Sequence, residues 1–400
     1  LSGAAGLATA FFSLAGRAGW RPVPLAWRSL TANKRRLLRS SAGIGFAVLL
    51  MLMQLGFEKA FFDAALEVLR GLDGDIFLQS AHKYQFATQD PFPASILATA
   101  KTVPGVASAR PLYADWFDLF WKSPFDGKSY LVRGLAFDPD EPVLLFPEVE
   151  AQRARLKTPG TVLVDRRARR FLGMDQPAAQ AELNGTKVAV VGSFALGPDF
   201  MSDGTVVMSD RTFADVLHGA AGSPPGVEAG VIKLAAGADR GAVLAALKKS
   251  LPAGIAVMTK DQLIAFERAF QADVSSAGPI FAIGTIVGFV VGILISYQII
   301  FTEVSDQLPQ YATLKAIGYP NVYLLRVVLE QAALNGIAGW VPAWLLSLGL
   351  YRLIGRIALL PMRLSLGIAL LSLGLTLGMC LISAAIAVGR VIRADPAAVF

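Results

Sequence analysis

Four stretches of this chain are long, apolar and free of charged residues, and they decide its fold class. The first runs from Ser40 to Phe57, and the second lies between Asp273 and Glu303. The third runs from Gln331 to Tyr351 and the fourth from Leu364 to Gly389. A helix rises ~1.5 Å per residue, so about 18–20 apolar residues cross a ~30 Å hydrocarbon core. The second stretch exceeds that length and is expected to tilt or to project beyond the bilayer. Composition points the same way, with 54% hydrophobic and only 17% charged residues, against about 25% charged in an average soluble chain.

Basic residues near the span ends set the orientation. Residues 1–39 contain Arg17, Arg21, Arg28, Lys34, Arg35, Arg36 and Arg39 and no acid. That end is therefore expected in the cytoplasm. Four spans return the C-terminus to the same side, where Arg390 and Arg393 lie. Arg352, Arg356 and Arg363, between the third and fourth spans, then fall outside and depart from the rule. The expected layout has a cytoplasmic segment 1–39, with an interfacial helix bearing Trp27, Leu30, Leu37 and Leu38. Transmembrane helices follow over 40–60, 276–302, 326–351 and 364–389. An extracytoplasmic (periplasmic) domain occupies 61–275 and a cytoplasmic loop 303–325. A short outer loop at 352–363 and a cytoplasmic tail at 390–400 complete it. Residues 1–20, uncharged up to Gly16, read as a floppy tail or a mis-assigned start.

The inserted segment carries 22 basic and 25 acidic residues, the remainder of the chain 15 and 5. The net charge of +7 thus comes from membrane-flanking cations near anionic lipid, and no nucleic-acid partner is expected. Short β-branched runs bounded by turn residues predict strands at Gly74–Gln79, Ser129–Leu135, Thr161–Val164, Lys187–Ser193, Gly204–Ser209 and Gly230–Leu234. Helices are expected at Ala60–Leu72, Pro93–Ala100, Arg211–Leu217, Arg240–Leu251 and Lys260–Asp273. The fold class is a membrane protein of four transmembrane α-helices, with a large two-lobed α+β domain between helices 1 and 2.

Signatures of catalysis are missing. The chain has no GxxxxGK[ST] phosphate loop, no GxSxG elbow and no HExxH. Cys380, His82 and His218 are its only cysteine and histidines, which leaves no zinc-binding pattern. His82 reads as a loop residue rather than a general base. Asp138, Asp140 and Glu141 read as an acidic turn rather than a cation site. Arg166, Arg167, Arg169 and Arg170 read as a solvated helix face. No catalytic residue, metal or cofactor is expected in this chain.

Two features suit contacts between helices or between proteins. Gly284, Gly288 and Gly292 recur at four-residue intervals in the second span, and Gly374 and Gly378 do so in the fourth. This spacing lets helix backbones approach, within the chain or across a dimer seam. After the second span, Leu308, Tyr311, Ala312, Leu314, Lys315 and Ile317 suit a short amphipathic helix, with Gly318 to cap it and Pro320 to stop it. Its apolar face needs the membrane surface or a protein groove.

The same loop carries a resemblance. Thr302-Glu303-Val304, then Leu314-Lys315-Ala316-Ile317-Gly318, then Val328-Leu329-Glu330 resemble the elements of FtsX-like permeases in the MacB superfamily. Residues 24–57, 163–173, 194–210 and 304–319 are similar to the DevC-type branch, and RADPAAVF at 393–400 suits the superfamily's tail. The resemblance implies a non-catalytic permease of the bacterial inner membrane that docks a separate ABC ATPase, which alone binds ATP. It implies Glu303, Val304, Leu308, Tyr311, Leu314, Lys315, Ile317, Gly318 and Glu330 as coupling residues. It further implies a permease homodimer, a periplasmic adaptor and a TolC-like outer-membrane channel. DevC-type members are associated with glycolipid export. The alternative within the superfamily is an FtsX-like regulator of a periplasmic cell-wall hydrolase that transports nothing.

Overall fold

The computed structural model describes residues 34–175, 178–219, 225–275 and 277–393. The interfacial helix expected before Lys34 and most of the C-terminal tail lie outside these residues. Four described helices are long and apolar enough to cross a membrane. They are α1 (Lys34–Ala65), α8 (Ala277–Asp306), α10 (Asn321–Ala358) and α11 (Leu366–Arg393). The chain is a membrane protein with a mixed α/β domain inserted between the first two of them. It divides into two compact units. One holds the membrane helices, and the other holds Ala60–Pro279 together with Ile354–Pro361.

In the helical unit, Ile44, Val48, Met51, Val304, Tyr311, Val328, Met379 and Ala384 share one buried cluster. Glycines set its closest approaches. A Cβ on Gly339 would stand 2.8 Å from Ile44 Cγ2 and 3.1 Å from the Gly45 nitrogen, so α1 and α10 meet backbone to backbone. The Gly284/Gly288/Gly292 stripe also faces inward. Cβ atoms there would meet Gln54 at 2.4 Å, Met51 at 3.4 Å and Met379 at 2.4 Å. Gly374 has nothing within 4 Å, and Gly378 only Phe289 at 4.0 Å. Cys380 is buried, with its Sγ 3.8 Å from Ser296 Oγ.

The inserted unit begins with the C-terminal end of α1 and the single turn α2 (Glu67–Arg70). Its strands are β1 (Ile76–Ser80), β2 (Val106–Asp115), β3 (Phe120–Lys122), β4 (Ser129–Leu131), β5 (Arg133–Phe137) and β6 (Thr161–Asp165). They continue with β7 (Gln180–Leu183), β8 (Thr186–Phe194), β9 (Thr205–Ser209), β10 (Ala229–Leu234) and β11 (Ile255–Thr259). Helices α3 (Ser95–Lys101), α4 (Pro147–Gln152), α5 (Asp210–His218), α6 (Arg240–Ser250) and α7 (Lys260–Ala269) pack between them. The strands join in one sheet of order β11-β1-β10-β2-β5-β9-β6-β8-β7-β3-β4. Long β2 unites the lobes. Its first part pairs with β10 and its Tyr113–Asp115 end with β5. Local signals place the helices. Ser209 Oγ accepts from Thr212 N at the start of α5, and Thr259 and Gln262 form a capping box on α7.

Several expectations need correction. Ser129–Leu135 is two strands, because Val132 N–H turns away to donate to Leu119 O at 2.9 Å. Strands β2, β3, β7 and β11 were not foreseen. In β2 Pro111 has no N–H to donate, yet it sits opposite Gly230 in the ladder. The arginine run is not a helix face. It forms a turn and a short 3-10 segment (Arg170–Leu172), with Arg166 bound to Glu148 and Arg169 to Asp203. Most of the loop expected at 352–363 is helical, since α10 continues to Ala358. Its end, Ile354–Pro361, clusters with the inserted unit.

Two charge clusters tie the inserted unit together. Lys83 and Glu228 form a buried pair. Burial pushes the Lys83 ammonium down and the Glu228 carboxyl up from their ordinary values, against their mutual attraction. Asp73 accepts from Lys233 Nζ at 2.7 Å and from Arg110 Nη2 at 3.3 Å. Partial burial pushes its carboxyl up, but these two cations together outweigh it and hold the group below the usual range.

Candidate functional site

The loop after α8 is built by local chemistry. Pro309 stands in the first turn of α9 (Leu308–Ala316), where its missing N–H is not needed. The helix ends in a Schellman arrangement. Tyr319 N–H donates to Leu314 O at 3.1 Å and Gly318 N–H to Lys315 O at 3.0 Å, with Gly318 at φ +103°. A side chain is disfavoured there, which accounts for the glycine. Pro320 follows and α10 begins at once, with Tyr323 N–H donating to Pro320 O.

The helix presents two unlike faces. Tyr311 is buried with Val304, Leu324 and Val328, and its hydroxyl donates to Gln307 Oε1 at 3.0 Å. Leu314 packs against the same cluster. Leu308 and Lys315 are half-buried. Ile317 is 70% exposed, Tyr319 42% and Val322 74%. Part of the face read from the sequence as free is therefore anchored in the helical unit. The exposed apolar tip is Ile317, Tyr319 and Val322, two of which sequence reading missed. Their signal was their position beside the Gly318 cap, outside the helical period.

Glu303 and Glu330 have different surroundings. Glu303 is 4% exposed and accepts from Asn335 Nδ2 at 2.7 Å, with Gln331 Nε2 at 3.5 Å. Ser40 Oγ donates to Asn335 Oδ1 at 3.4 Å. Residues from α1, α8 and α10 thus meet in one buried polar chain beneath the loop. Glu330 binds Arg326 one turn before it on α10, at 2.9 Å.

The other candidate residues do not assemble into a site. Asp138 forms a turn with Asp140 and Glu141, and those two bind Lys157 and Lys101. No cluster of three or more metal-type side chains occurs among the described residues. The His82 side chain is 83% exposed, 3.6 Å from Asp90.

Comparison with known families places this geometry. Residues 281–396 match the family described as FtsX-like permease C-terminal. The matched stretch includes α9, the Gly318 cap, Glu303 and Asn335. Among solved structures, the periplasmic region of MacB from Actinobacillus actinomycetemcomitans is similar at 14% identity and a TM-score of 0.33, over 49% of this chain and 94% of that one. The extracellular domain of the noncanonic ABC-type transporter YknZ from Gram-positive bacteria is similar at 9% identity and 0.30, over 46% and 99%. A domain of a putative permease protein from Porphyromonas gingivalis is similar at 14% identity and 0.31, over 52% and 95%. No curated protein matches the chain.

Proposed function

We propose that this chain is the membrane subunit of an ABC-type exporter in the bacterial inner membrane, driven by a separate ATPase that binds the ATP. The observation that carries this reading is the α9 loop. It sits inside the stretch that matches the FtsX-like permease family, fixed at Tyr311 and Leu314 and exposing Ile317, Tyr319 and Val322. A rigid apolar tip in a polar compartment calls for a protein groove. Force applied there reaches α8 and α10 directly, because α9 is clamped between them in sequence and in packing. Glu303, Val304, Leu308, Lys315, Gly318 and Glu330 support the loop rather than contact the ATPase.

In this reading the inserted unit is periplasmic and works with an adaptor and a TolC-like channel. The cargo in this reading is a lipid, a glycolipid or another hydrophobic substrate, which the resemblance to the DevC-type branch suggests. A permease homodimer uses the outer face of α8, where Ile283, Ile286 and Val290 are exposed, because the glycine stripe is occupied within the chain. The test is ATPase activity of the reconstituted complex. Ile317→Asp and Val322→Asp should each lower permease-stimulated ATP hydrolysis at least tenfold while membrane insertion stays normal. Unchanged stimulation in both variants would overturn the assignment of the tip.

A further inference from the structure

The inserted unit contains a cavity of about 280 Å³ to which the proposed ATPase coupling gives no role. Its walls come from the C-terminal end of α1 and from α2, the loop after β1, the loop after β8, and the segment joining α7 to α8. That joining segment, Phe270–Val274, is π-helical. A π-turn inserts one residue into the helical repeat and is frequent at functional sites. Here it turns Phe270 and Gln271 to the cavity.

The lining is aromatic with a few fixed polar groups. Phe86 and Trp116 meet edge to face at 5.7 Å, and Phe61 and Phe200 lie 4.5 Å apart. Phe200 is 62% exposed, so this aromatic wall reaches the surface. Two cations stand near the lining, and each has its own acid. Arg133 binds Asp199 at 2.6 Å, and Lys83 pairs with Glu228. Glu267 differs. It is 4% exposed and accepts from Phe86 N–H at 2.8 Å and Gln271 Nε2 at 3.0 Å. Among the described residues no lysine or arginine pairs with it. Gln85 is 7% exposed and lines the same cavity. A buried carboxylate without a counter-charge carries an energetic penalty, which a cationic ligand would relieve.

We propose that this cavity binds a small organic cation with an apolar, ring-sized body. The Glu267 carboxylate supplies its counter-charge, the Gln85 amide a hydrogen-bond partner, and the aromatic walls bury its body. Aromatic faces attract a cation within about 6 Å of the ring centre, which an anion of the same shape would not gain. The volume lies just below the ~300–1,000 Å³ of most ligand clefts, so the ligand is a single-ring or short-chain amine. The proposal concerns the inserted unit alone and does not depend on the ATPase reading.

The test uses the full chain in phosphatidylcholine nanodiscs, with empty discs subtracted. Three probes share one body: 4-phenylbutylamine, 4-phenylbutanol and 4-phenylbutyrate. Calorimetric titration should show saturable binding of the amine, at least tenfold tighter than the alcohol and with no binding of the carboxylate. Glu267→Gln keeps the shape of the site and should weaken the amine at least tenfold. Ala65→Phe fills the cavity from a half-buried position and should abolish binding. Equal binding of the three probes would overturn the proposal, as would amine binding unchanged by Glu267→Gln. Should that variant fail to fold, Ala65→Phe decides alone, and retained amine binding there overturns the site.

Discussion

Glu303 and Asn335 lie 2.7 Å apart, the carboxylate of α8 accepting from the side-chain amide of α10. The contact stands at the root of the α9 loop and holds the two helices that the loop connects. Hydrogen bonds between membrane helices are worth about 0.6–2 kcal/mol. Asn335→Ala should therefore lower the thermal midpoint of the detergent-solubilised protein by a few degrees, and it should weaken any response of the helices to an ATPase. Asn335→Gln, which keeps the donor, should restore most of the loss.

The approach of α1 to α10 is set by Gly45 and Gly339. A Cβ at Gly339 would lie 2.8 Å from Ile44 and 3.1 Å from a backbone nitrogen that cannot move aside. Gly339→Val should destabilise the helical unit by about 1–3 kcal/mol through overpacking. Gly374→Ala, placed in open space within a helix, should leave the thermal midpoint unlowered. Paired melting curves in one detergent check both.

Much of this arrangement was legible in the sequence, and the exceptions have physical causes. Charge-free runs showed the membrane helices, because about 18 or more apolar residues without charge match the span of a bilayer core. The Gly318 stop was equally plain. Direction was not. Tyr311 and Leu314 look like a free apolar face, but only the fold shows that Val304 and Val328 cover them. The Gly45–Gly339 contact carried no signal, since neither glycine belongs to a four-residue glycine repeat like that of α8. Asn335 was hidden because one amide in an apolar helix says nothing until its partner 32 residues away is known. In the inserted unit, β2 contains Pro111, which has no N–H to donate, and it still pairs with β10.

Asp73 ties β10 to the segment before β1, and its depressed carboxyl has a sign that can be measured. A group whose folded pKa lies below its unfolded value contributes stability above the unfolded value, about 3.9 for Asp. That contribution is lost as pH falls through the lower folded value. At pH 7 wild type should be more stable to urea than Asp73→Asn. The gap should narrow below about pH 4 and close once Asp73 is protonated in both states. A gap independent of pH would contradict the assigned role of Lys233 and Arg110.

The central claim is that the Ile317–Val322 tip is where an ATPase grips this permease. A photo-crosslinking phenylalanine derivative placed at Val322 in living cells tests it most directly, with one at Gly374 as the comparison. The account predicts a Val322-specific adduct with a protein carrying a GxxxxGK[ST] phosphate loop, lost when Ile317 is changed to Asp. An adduct with lipid alone, or an ATPase adduct indifferent to Ile317→Asp, would contradict it.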